Sequence, residues 1–179
     1  RYYDPAALMV VDELTLTRQG ALARLPEGNP LTGSGQVVLD VHHLHHPASL
    51  NKGGENDLSV NFTSHYGAMR GRFGNGDHLC NGQGGENILV EAAGKMELET
   101  VSRGLTVRMK RGALVELGRV SVAHPCQPFS KYVSRAAEPE AIKSAIRFLD
   151  GGLRGFYCAL ASDDAVTIAV GDEVLAVRP

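Results

Sequence analysis

Glycine sets the terms for this chain. Twenty-one of its 179 residues are glycine and eight are proline, and they cut the apolar residues into runs too short for long helices. The runs at 37–41 and 58–62, β-branched or cleanly alternating, read as strands. Further strands are expected at 8–16, 21–25, 87–91, 105–109, 113–117, 119–123, 156–160, 166–170 and 174–177. Arg18-Gln19-Gly20, Lys110-Arg111-Gly112 and Ser162-Asp163-Asp164 supply turns, and 26–35, with two prolines and three glycines, reads as an exposed loop. Residues 74–85 hold five glycines in twelve positions and are expected to be irregular.

Helical spacing is rare. Ile142, Ala145, Ile146 and Leu149 share one helical face; Glu138-Pro139-Glu140 starts that helix and Asp150-Gly151-Gly152 stops it. A shorter helix capped by Thr63 or Ser64 is expected to run through Met69 and end at Gly71 and Gly74, with a helical turn at 130–133. The pattern predicts a mainly β protein, a β-barrel or folded sheet with one or two short helices. The length suits one hydrophobic core, so residues 1–179 read as a single domain without repeats.

Composition narrows the function classes. A net charge of −2 gives no electrostatic argument for nucleic acid or an anionic membrane as partner. No apolar stretch is long enough to span a bilayer, and no charged segment followed by an apolar run resembles a secretory signal. Three cysteines, an odd and small number, fit reduced thiols and a cytoplasmic location better than a disulfide scaffold. Without a secretory signal, the glycosylation pattern Asn61-Phe62-Thr63 reads as coincidence.

Among the groups that could carry chemistry, Cys126 comes first. It follows a strand within His124-Pro125-Cys126-Gln127-Pro128, where the prolines fix the turn, and His124 and Lys131 are expected to favour its thiolate. A thiolate attacks electrophiles and binds soft metals; the competing reading is a small buried hydrophobe. Cys158, inside an apolar strand, reads as core, and Cys80 as more exposed. The loop ending Gly84-Gly85-Glu86-Asn87 could bring backbone amides to an anion, although it is neither a Walker loop nor a dinucleotide fingerprint. In His42-His43-Leu44-His45-His46 a strand would put His43 and His45 on one face; with no cysteine or carboxylate at zinc spacing, this reads as a polar strand end. Arg70, Arg72, Lys110, Arg111 and Lys131 are candidate anion contacts or solvated surface. No nucleophile elbow is present.

Three segments in order carry a family resemblance. They are Gly85-Glu86-Asn87-Ile88, then Arg119-Val120-Ser121-Val122-Ala123-His124-Pro125-Cys126, then Gly152-Leu153-Arg154-Gly155-Phe156-Tyr157 leading to Val170-Gly171-Asp172-Glu173-Val174. This order resembles the MOSC domain, related to the C-terminal domain of molybdenum cofactor sulfurases, best over about 74–178. The resemblance implies a barrel-like fold with a pocket cysteine that carries sulfur or ligates the molybdenum of a pterin cofactor. Some members reduce N-hydroxylated compounds, and pyridoxal phosphate binding is also associated with the family. Cys126 matches the family cysteine as catalytic group or metal ligand. Glu86 and Asn87 match its Gly-Glu-Asn motif, and His124, Lys131 and Arg72 would complete a cofactor (molybdopterin) site. Where members carry a Gly-Asp-Arg-His type stretch, this chain reads Lys52-Gly53-Gly54-Glu55-Asn56-Asp57-Leu58, leaving His65, Arg70 and Arg72 as candidates for its polar role.

The leading expectation is a stand-alone MOSC-type reductase subunit or sulfur-transfer protein, served by an electron- or sulfur-donor protein and acting on a small molecule. The rival is a non-catalytic module that holds a small anion or a protein partner. A third reading, a histidine-bound metal protein, would depend on His43 and His45.

Overall fold

The computed structural model describes residues 3–25, 36–51, 53–74 and 78–177. The expected 26–35 loop therefore lies outside the described residues. Ten strands and four short α-helices are formed among those described. A four-stranded sheet contains β1 (Glu13–Thr17), β2 (Gly20–Arg24), β3 (Val37–Leu39) and β9 (Val166–Ala169) in the order β3-β2-β1-β9, all antiparallel. A six-stranded sheet contains β4 (Leu58–Phe62), β5 (Ile88–Val90), β6 (Leu105–Arg108), β7 (Leu114–Val122), β8 (Phe156–Leu160) and β10 (Glu173–Ala176), in the order β10-β6-β7-β8-β4-β5. The helices are α1 (Thr63–Phe73), the single turn α2 (Leu98–Val101), α3 (Gln127–Ser134) and α4 (Pro139–Leu149).

The described residues fall into two compact units. The first comprises Arg1–Leu8, Ser59–Thr100 and Ser121–Phe156, and its core gathers Tyr66 and Met69 of α1, Leu79, Phe129 and Val133 of α3, and Leu149 of α4. Such a cluster accounts for the helical spacing read at 142–149, since α3 and α4 each present one apolar stripe to it. The second unit comprises Met9–Leu58, Val101–Val120 and Tyr157–Pro179. There the register pairs Leu105 with Leu117 and Val107 with Val115, all buried, while Thr106 pairs with Glu116 on the other face. The alternation read from sequence is the pleat itself.

Several expected boundaries moved. The expected 8–16 strand begins only at Glu13, because Asp4 caps a 3₁₀ turn at Pro5–Ala7 and the chain then stays irregular. The 37–41 strand stops at Leu39, where the Asp40 carboxylate accepts the backbone N–H of His42 and starts a turn. Runs 113–117 and 119–123 form one strand, β7, which continues across Gly118 although Arg119 adopts φ 52°. Helix α1 passes through Gly71 and ends at Gly74, whose φ of 93° is the conformation glycine permits cheaply.

Gly155 matters most for positioning. Its φ is +98°, its carbonyl accepts the N–H of Ala123, and a Cβ here would lie 2.5 Å from the Val60 carbonyl of β4. Only a residue without a side chain lets this loop lie against β4. Gly155→Ala is therefore expected to cost on the order of 2–4 kcal/mol, read as a lower denaturant midpoint; an unchanged midpoint would contradict the close approach.

Candidate functional site

Cys126 stands at the N-cap position of α3, with no side chain capping the helix. Its carbonyl accepts both the backbone N–H and the hydroxyl of Ser130, at 3.0 Å each. The side chain is half-buried and packs on the aromatic core of the first unit. The other thiols differ. Cys80 is exposed, whereas Cys158 is buried within β8 and burial, aided by Asp57, pushes its thiol up to about 12. A thiol held protonated in that way is inert at neutral pH.

Beside Cys126 the aromatic wall is built from three parts of the first unit. The Tyr3 ring meets Phe129 edge-on at 5.3 Å and Tyr132 at 5.2 Å, and its hydroxyl donates to the Gln83 carbonyl. Burial raises the Tyr3 hydroxyl above the usual tyrosine range, with Tyr132 adding to the rise and Arg154 opposing it; Glu86 and Cys126 contribute smaller upward effects. One phenol thus senses the candidate thiol, the carboxyl and the guanidinium together. The Tyr132 hydroxyl donates to the carbonyl of His78.

The glycine loop lies across this wall. Tyr66, fully buried in α1, donates its hydroxyl to the Glu86 carboxylate at 2.8 Å and accepts the N–H of Gly84 at 2.6 Å. Arg154 donates to the Gly84 carbonyl and stacks its guanidinium 4.6 Å from the Phe129 ring centre. A Cβ on Gly84 would meet Glu86 Oε2 at 2.5 Å, Tyr66 Oη at 2.8 Å and Arg154 Nη1 at 3.2 Å. A side chain at position 84 would displace at least one of these three polar ends from its present place. Burial raises the Glu86 carboxyl above its ordinary value, partly offset by the Tyr66 hydrogen bond and by Arg154. Among the described residues no carboxylate lies within ion-pair distance of Arg154.

Of the other residues expected to form a cofactor site, one fastens the glycine loop and three are exposed. Asn87 is a clip: its side-chain oxygen accepts the N–H and hydroxyl of Ser59, and its own N–H returns to that hydroxyl, fastening the loop to β4. His124 is exposed and pairs with Asp150 at 2.8 Å. Lys131 is exposed on α3. Arg72 is exposed on α1, with its guanidinium 5.9 Å from the centre of the Phe148 ring. Arg70 holds the Leu79 carbonyl and Asn81. His65 is fully buried between Asn61 and Met96, and burial lowers its pKa. Sequence reasoning missed Arg154, Tyr66 and Tyr3. Arg154 lay inside a quoted segment, and its signal was the glycine that follows it.

The histidine run forms turns instead of a strand: His43 is buried and accepts the backbone N–H of His45 on Nδ1, while His45 is exposed. Among the described residues no three His, Cys, Asp or Glu side chains gather as a metal site, and no helix is long and apolar enough to cross a membrane.

The MOSC domain model matches residues 40–175. The chain belongs to the MOSC domain family. Similar solved structures include the YuaD protein of Bacillus subtilis, at 15% identity and TM-score 0.54, covering 92% of this chain and 84% of that one. Another is YiiM of Escherichia coli, at 16% identity and TM-score 0.55, covering 94% of this chain but only 64% of YiiM. At such identities the likeness is one of fold, mainly β with few short helices. A search of curated proteins finds no match. The MOSC family is associated with molybdenum cofactor binding and sulfur-related functions.

The Tyr66 contact yields a pH-dependent test. A carboxyl whose folded pKa is raised contributes stability that is full below its unfolded value, near 4.5, and is lost as pH rises through the folded value. Tyr66→Phe removes the hydrogen bond that restrains this rise and leaves the Gly84 N–H without its acceptor. It is expected to cost about 1–3 kcal/mol at neutral pH and less in acid, where Glu86 is protonated in both proteins. Urea melts across pH read this directly; a cost independent of pH would separate Tyr66 from the Glu86 charge.

Proposed function

We propose that this MOSC protein binds a molybdenum–pterin cofactor, or carries sulfur, through Cys126. The observation that carries the reading is the half-buried Cys126 thiol set within the same aromatic wall as a guanidinium that, among the described residues, has no carboxylate within ion-pair distance. The donor set fits the group. Cys126 offers the soft sulfur that molybdenum prefers. Since the described residues supply no cluster of further ligands, the metal would keep those its pterin brings. Arg154 has donors left for a cofactor phosphate after its bond to Gly84. When bound, such a cofactor supplies the redox change of its metal.

The chain's own residues prepare that place. Phe129 fixes the plane of Arg154 by stacking, and Gly84 fixes its reach. Tyr66 donates to the Glu86 carboxylate, which lies near Arg154 without forming an ion pair and offsets part of the cation's charge. Tyr3 and Tyr132 pack on the same core as the thiol and would shield one side of its surroundings from water. Asn87 acts through the loop it fastens, and His124 and Lys131 would serve as outer cations. An electron donor would complete a reductase acting on N-hydroxylated compounds; a sulfur donor would complete a persulfide carrier.

Protein produced with a cofactor supply is expected to hold near-stoichiometric molybdenum by elemental analysis. Cys126→Ala should lose it with its melting temperature retained, and Arg154→Ala should lower it. Molybdenum that is equal in wild type and Cys126→Ala, or absent from both, would overturn the cofactor reading. Cys126 persulfide detected by mass spectrometry in the molybdenum-free case would select the sulfur carrier.

A further inference from the structure

The second unit holds a cleft of about 360 Å³ that the proposed cofactor site does not use. Arg18, Arg119, Asp57, Gly54, Gly118 and the end of β8 line it. Arg119 is one of two non-glycine residues with positive φ among those described. The other, Arg135 at φ 51°, closes α3, where a left-handed residue is ordinary. Arg119, at φ 52°, lies inside β7, where no helix end accounts for it. Strain of this kind persists only where the surroundings dictate it, and it gathers at sites of function.

The surroundings of Arg119 are specific. Its Nη2 donates to Asp57 Oδ2 at 3.2 Å and its Nη1 to the Gly54 carbonyl at 3.4 Å. The Asp57 side chain is 1% exposed and its second oxygen accepts from Asn51 at 2.8 Å, yet the Arg119 side chain remains 66% exposed. A buried carboxylate thus grips part of the guanidinium and leaves its other donors facing solvent. Arg18 pairs with Asp163 at 2.8 Å, both well exposed, a pair too weak to withhold Arg18 from a ligand. Gly118 adds no bulk: a Cβ there would have nothing within 4 Å.

We propose that this cleft binds the phosphate group of a small phosphorylated compound, or inorganic phosphate, between Arg119 and Arg18. Two guanidinium groups suit a tetrahedral anion, which presents three oxygens, better than a carboxylate, whose two oxygens a single arginine fork satisfies. Asp57 and Asp163 are the acidic groups facing the pair. Asp57 is ion-paired with Arg119 and accepts a hydrogen bond from Asn51, and Asp163 is displaced into water as Arg18 turns to the anion. The small residues of the lining leave room for a compact organic portion against Ala159 and Leu160.

The test is titration of inorganic phosphate, and separately glycerol phosphate, into the full isotope-labelled chain, followed by backbone amide NMR. Both titrants are expected to shift the amides of Gly54, Gly118 and Arg119. Arg18→Ala, Arg119→Lys and Gly118→Val should each weaken the response by roughly tenfold. Arg18→Ala and Gly118→Val touch no buried partner and should melt like the parent, so they remain informative even if Arg119→Lys loosens Asp57. Amides that do not move, that move equally in Arg18→Ala and Gly118→Val, or that move only around Gly84 and Arg154 would overturn the proposal. A response to glycerol phosphate alone would support it and place specificity in the organic portion.

Discussion

The convergence of a phenol, a carboxyl and a guanidinium on Gly84 is the interaction on which the candidate site depends. Tyr66 satisfies the Gly84 N–H and the Glu86 carboxylate at once, and Arg154 satisfies the Gly84 carbonyl. A side chain at position 84 would occupy the space in which all three meet. Because buried polar groups are costly when unpaired and stabilising when fully paired, the knot holds the glycine loop in one arrangement. The aromatic wall behind it is ordered by the same groups. Phe129, which Arg154 stacks upon, is also the ring that Tyr3 meets edge-on.

The three thiols show how environment separates chemistry from packing. Cys158 lies within a strand whose residues are all buried, and its thiol is driven toward the neutral form. Cys80 lies exposed beyond α1. Cys126 alone combines partial burial with a helix start and a neighbouring aromatic core. That combination leaves the sulfur partly exposed beside an ordered core.

Much of the fold was legible in the sequence because it rests on local periodicity. The strands around Val107 and Ile168 and the helix from Pro139 alternate or repeat as burial requires, whereas β4 around Val60 alternates in sequence yet is buried on both faces. What was not legible depends on contacts between distant segments. Cys126 stood out by its prolines, and Glu86 and Asn87 by their motif, but nothing local shows that Asn87 fastens a loop to Ser59 or that Glu86 faces Tyr66. Arg154 looked like one basic residue among eighteen; its importance comes from Gly155, whose approach to Val60 places the guanidinium over Phe129. His124 and Lys131 were near Cys126 in sequence, yet helix geometry and the Asp150 pair carry them to the exterior.

The most direct measurement is site-resolved alkylation by iodoacetamide, followed by mass spectrometry, on protein with and without molybdenum cofactor. Cys126 as the ligand predicts that it labels well ahead of Cys158 in the cofactor-free protein and is protected once cofactor is bound, with Cys80 labelled equally in both. Labelling of Cys126 that is unchanged by cofactor, or as slow as that of Cys158, would contradict a functional role for this thiol.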